Sequence, residues 1–77
     1  MIETKKKLKK IIKNITKYKK KISDNTVINN SILDSFNMII LIGKIEEEFT
    51  IKLNEKDLHY KNFTTINKIA KMINKKC

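Results

Sequence analysis

The sequence predicts an all-α fold, a small four-helix bundle of three main helices and one short one, and three observations carry that prediction. Apolar residues recur at helical spacing in three separate stretches, and turn and capping residues collect between them. The only alternating run, Phe49, Ile51 and Leu53, is too short and isolated to build a sheet. With 77 residues and hydrophobic side chains at 40% spread along the whole chain, one folded domain over 1–77 is expected, neither a disordered polybasic tail nor a two-domain enzyme.

In the first stretch Leu8, Ile11, Ile12, Ile15 and Ile22 fall at i, i+3, i+4, i+7 and i+14, with lysines on the other faces, which predicts a helix over about 3–21. Ser23, Asp24, Asn25, Asn29, Asn30 and Ser31 then supply turn chemistry for a long loop over about 22–34, pinned by Val27 and Ile28. Phe36, Ile39, Ile42 and Ile45 recur every three residues and Leu41 widens their stripe, predicting a second helix over about 35–48. Asp34 and Ser35 stand at its N-terminus. One short helix is expected over about 57–61. A last amphipathic helix over about 64–75 carries Ile66, Ile69, Ala70 and Ile73 and is capped by Thr64 or Thr65.

The basic excess is made entirely of lysine: 18 Lys and no Arg against 8 acids, formally +10. Residues 1–21 carry +9, residues 22–60 carry −4 and residues 61–77 carry +5, so the acidic middle is where function is sought. Fifteen Ile and nine Asn accompany the lysines, and all three residues have AT-rich codons, so the charge is weak evidence for an anionic partner. The lysine face Lys5, Lys6, Lys7, Lys9, Lys10, Lys13 and Lys17 reads as a solvated face, and no specific nucleic acid is expected. A basic helical module that binds nucleic acid or an anionic membrane is the alternative from another functional class. Cys77, the only cysteine, has no intramolecular partner, which points to a reducing compartment, the cytoplasm. The opening MIETKKKLKKIIKNI has no apolar run longer than two residues, so neither an export signal nor a transmembrane segment is expected.

No HExxH, CxxC, glycine-rich phosphate loop or Ser/His/Asp set can be assembled, His59 is the only histidine, and no metal site is expected; the chain reads as a non-enzyme. His59 and Cys77 read as incidental. What remains is Ser35, behind Asp34 at a helix start, where unpaired amides and the helix dipole favour a negatively charged phosphate ester. Taken alone, an Asp-Ser pair is more often a plain cap.

The surroundings change that weighing. The stretch ILDSFNMIILIGKIEEEF followed by TIKLNEKDLHYKNFTTINKIAKMI resembles the acyl carrier protein family over residues 32–73. Asp-Ser-Phe opens the second helix, Ile-Glu-Glu-Glu-Phe closes it, and an Asp-Leu turn, Asn-Phe and Thr-Ile follow in order. The resemblance implies a monomeric carrier bundle with 4'-phosphopantetheine attached covalently to Ser35 by a phosphopantetheinyl transferase from coenzyme A, with Asp34 assisting loading. The arm's thiol would carry acyl or aminoacyl groups as thioesters between a charging ligase and a downstream acyl transferase or synthase. Fatty acid biosynthesis is one such setting, and a D-alanyl or other aminoacyl carrier of a specialised pathway is the alternative. Phe36, Ile39, Leu41, Ile42, Ile45, Phe49, Phe63 and Ile66 would form the core. Glu46, Glu47 and Glu48 lie where the helix dipole disfavours anions; the resemblance implies that Glu47 and Glu48 meet partner enzymes, and the alternative is an ordinary solvated face beside Lys44 and Lys52. The acid often found in the family five residues after the serine is Ile40 here; either Ile40 is exposed beside Met38 and the partner surface is more apolar, or Ile40 turns inward.

Overall fold

The computed structural model describes residues 2–76, and Cys77 lies outside them. Helices α1 (Ile2–Thr16), α2 (Ser35–Phe49) and α3 (Ile66–Lys76) follow in order, with a 3-10 turn, Tyr60–Phe63, before the last. The predicted fold class is the observed one, and no strand appears among the described residues. α1 packs against both other helices, and the 3-10 turn packs on α3.

The core is apolar throughout. Leu8 and Ile12 enter it from α1, Leu41 and Ile45 from α2, and Ile66, Ile69, Ala70, Met72 and Ile73 from α3. Ile22, Ile28, Leu33, Leu53 and Phe63 complete it from the connections, and no polar side chain is buried among the described residues.

α1 ends at Thr16, five residues before the position its periodicity predicts. Lys17 takes a left-handed φ of 60° and its amide donates to the Lys13 carbonyl at 2.8 Å, which closes the helix. The Thr16 hydroxyl donates to the Ile12 carbonyl at 2.7 Å and accepts from the Tyr18 amide at 3.2 Å, turning the chain away. Ile22 is still buried, but it reaches the core from the loop rather than from a helical stripe.

That loop is fastened to the start of α3. The Ile28 amide donates to Thr64 O at 2.9 Å, the Asn67 amide to Asp24 O at 3.0 Å and the Asn67 side-chain amide to Asn25 Oδ1 at 2.6 Å. Asp24 also receives Lys5 at 3.2 Å and Lys9 at 2.8 Å, which ties the same loop to α1. Val27 is not a pin as predicted: its backbone bridges Thr65, which turns its side chain out to 58% exposure, and Ile28 and Leu33 hold the loop instead.

Two residues placed in the core by sequence are outside it: Phe36 is 71% and Ile39 70% exposed. A spacing of three falls about 60° short of a full turn, so a row repeated every three residues winds from the solvent face at Phe36 to the core at Ile45. Ile42 and Phe49 pack against the core half-buried. The short helix expected at 57–61 lies later, at Tyr60–Phe63. Asp57 and Asn54 bond each other's amides, at 2.9 and 3.0 Å, which makes a closed turn, and His59 Nδ1 then accepts from the Lys61 amide at 3.2 Å to start the 3-10 turn. α3 begins at Ile66, with Thr65 Oγ1 accepting from the Lys68 amide at 3.2 Å, as one of the two threonine caps foreseen.

Candidate functional site

Ser35 is the first residue of α2, and two local devices set its position. Behind it, Ile28 to Leu33 folds into a tight turn in which the amides of Ile32 and Leu33 both donate to Ile28 O, at 3.0 and 2.8 Å. Asn30 occupies the left-handed region at φ 63° and its amide donates to Leu33 O at 2.9 Å. Ile28 and Leu33 anchor both ends of this turn in the core. Ahead of it, Asp34 takes an extended conformation and its Oδ1 accepts from the Asn37 amide at 2.7 Å, a side-chain N-cap. The capping role of Asp34 is thus real and does not compete with Ser35, which stands exposed just inside the helix.

The amides of Ser35 and Phe36 lie outside the intrahelical ladder, and the positive end of the α2 dipole points at the serine. A phosphate ester on Ser35 Oγ fits this setting: solvent reaches the hydroxyl, no buried charge is created, and the local field favours an anion. Next to the serine is an open cleft of about 150 Å³ lined by Asn29, Asn30, Leu33, Asp34, Met38 and Tyr60. Tyr60 is 64% exposed and stacks on His59 with ring centroids 4.9 Å apart. Sequence reasoning passed over Tyr60, because its only signal is a position 25 residues from Ser35 that the fold closes.

The four partner-surface residues separate into two places. Met38 lines the Ser35 cleft, whereas Ile40, Glu47 and Glu48 line a second groove of about 470 Å³ with Ile11, Asn14, Ile15 and Lys44, between α1 and α2. Met38 and Ile40 are both half-buried rather than exposed, since Met38 turns toward the core and Ile40 toward α1. The exposed apolar side chains beside the serine are Phe36 and Ile39. Glu46 differs from its two neighbours: its Oε2 accepts from the Leu53 amide at 2.9 Å and holds the chain leaving α2. Glu47 and Glu48 are exposed and join no ion pair among the described residues. Among the described residues no three His, Cys, Asp or Glu side chains come together as metal ligands. Nor is any described helix long and apolar enough to cross a membrane.

The structure thus places an exposed serine at the head of the second helix of a short bundle. The family model described as phosphopantetheine attachment site matches residues 6–73, and the chain belongs to this family of phosphopantetheine carriers. The cofactor of the family is covalently held 4'-phosphopantetheine. No curated protein and no solved structure matches the chain.

Proposed function

We propose that Ser35 is the attachment point of the 4'-phosphopantetheine arm and that the protein is a non-catalytic carrier, loaded by a phosphopantetheinyl transferase and visited by acyl- or aminoacyl-handling enzymes. The observation that carries this is the exposed hydroxyl of Ser35 at the positive end of α2, inside the matched span. On loading, Ser35 Oγ becomes a phosphodiester oxygen and coenzyme A loses its adenosine bisphosphate half. When bound, the arm supplies a terminal thiol that holds cargo as a thioester. The chain's own residues then have three tasks. Asp34 holds the helix start and offers a carboxylate beside the incoming phosphate, where a loading metal ion needs a ligand. Phe36, Ile39 and Met38 present apolar surface around the arm, and Glu47 and Glu48, about 18 Å along the helix axis, add an acidic contact for partners.

A second reading within this class, an aminoacyl rather than a fatty acyl cargo, is favoured by the cleft beside Ser35. At about 150 Å³ it is small, which suits a short cargo better than a long alkyl chain.

The test is intact mass after incubation with coenzyme A, Mg²⁺ and a promiscuous phosphopantetheinyl transferase. Wild type gains one phosphopantetheine and Ser35→Ala gains none. Asp34→Asn keeps the cap, because Asn caps as well as Asp, and loads at least tenfold more slowly with an unchanged melting temperature. Equal loading of Ser35→Ala, or none of folded wild type, refutes the assignment.

A further inference from the structure

Part of α1 is not used by anything described so far. Its inner face meets the core through Leu8 and Ile12, Lys5 and Lys9 bind Asp24, and Lys7 Nζ lies 5.8 Å from the Phe49 ring centroid. The outer face carries Ile2, Lys6, Lys10 and Lys13, at spacings of four, four and three along one helical stripe. All four are exposed, as are Lys17 and the lysine run at 19–21 that continues beyond the helix. None of these lysines joins an ion pair among the described residues, and Glu3 is the one acid within α1 itself.

We infer that this outer face of α1 is a peripheral docking surface for an anionic lipid bilayer. Three observations select the bilayer. The cations lie along one exposed face of a single helix, which suits a plane of headgroups. Ile2, at 73% exposure, stands on the same stripe and offers an apolar side chain to enter the interface. There is no arginine anywhere in the chain to read bases or phosphates bidentately, and the most exposed aromatic rings, Phe36 and Tyr60, lie beside Ser35 rather than on α1, so nucleic-acid recognition lacks its means. No residue of α1 lines the cleft at Ser35, so a bilayer under α1 leaves that serine open to enzymes working at the membrane surface. The inference does not depend on Ser35 carrying an arm.

The experiment is co-sedimentation of the full chain with phosphatidylcholine vesicles, with and without phosphatidylglycerol, at low and high salt. Binding is expected only with phosphatidylglycerol and only at low salt. The triple variant K6Q/K10Q/K13Q loses roughly two orders of magnitude in partition coefficient, and Ile2→Ala loses severalfold. Both variants load phosphopantetheine as wild type does, and Ser35→Ala binds vesicles normally, so failure here and failure of the carrier assignment are distinguishable. Absence of binding to anionic vesicles at low salt, or binding that the triple variant leaves intact, overturns the inference. Equally tight binding to a DNA duplex, with Ile2→Ala without effect on vesicles, overturns it in favour of unspecific polyanion attraction.

Discussion

Gly43, the one glycine of the chain, lies in the interior of α2, and beyond its chain neighbours and the local backbone of its own helix nothing comes within 4 Å of the place a Cβ would occupy. Its φ is not positive, so the backbone does not require glycine there. Gly43→Ala is therefore expected to stabilise the free protein by about 0.5–1 kcal/mol, because alanine loses less backbone freedom in a helix. Thermal unfolding checks this, and a lower melting temperature would mean that something does approach that face. The same scale shows what a sequence reveals and conceals. The helix start at Asp34 and Ser35 was legible because capping is a four-residue matter, settled between Asp34 and Asn37. Phe36 and Ile39 were misplaced because a row spaced by three resembles a core stripe until its drift is followed to Ile45. Tyr60 was invisible because its neighbour is distant in sequence.

At the scale of elements, the centres of the helices were legible, and their ends only where the residues themselves close the helix. α2 was bounded to within a residue, since a cap at one end and a left-handed residue at the other enclose it. α1 was drawn too long because Ile22 continues its heptad spacing, and nothing in the residue type of Lys17 announces a left-handed backbone. Lys17, Asn30 and Thr50 all take that conformation, at φ of 60°, 63° and 53°, and none is glycine. Thr50 is the costliest, for a β-branched side chain crowds its own carbonyl there. Thr50→Gly is accordingly expected to raise stability by about 1 kcal/mol in denaturant unfolding, while the Thr50 amide keeps its bond to Glu46 O. A loss of stability would place the Thr50 side chain in a contact that outweighs the strain.

For the whole molecule, two carboxylates stand against a large excess of positive charge. Hydrogen bonds from Lys9 and then Lys5 hold the Asp24 pKa below its ordinary 3.8, and Lys76, at 2.8 Å, followed by the Asn54 amide does the same for Asp57. Both groups bind protons less readily folded than unfolded. Their contribution is therefore fully present above the ordinary carboxylate value and is lost as pH falls through the lower, folded one. Denaturation midpoints should stay level from neutrality to about pH 5 and fall below about pH 4. Asp24→Asn should lower the neutral value and flatten the acid limb, and moderate salt should shrink the difference because both pairs are partly exposed. An acid limb identical in Asp24→Asn would remove Asp24 from this account. The electrostatic division of the chain was legible in the charge blocks, but the pairing of an acid from the middle block with lysines of the first was not, since residues 5, 9 and 24 meet only through the fold.

The bonds from Asn67 to Asp24 and Asn25 have a kinetic meaning. Single helices form within about a microsecond, whereas a contact 42 residues apart must first close a long loop against chain entropy. Residues 22–33, which carry the turn behind Ser35, are fastened by a helix made more than thirty residues after that serine. During synthesis the serine is therefore exposed to solvent well before its surroundings take shape, and an enzyme that reads the folded setting has to wait for α3.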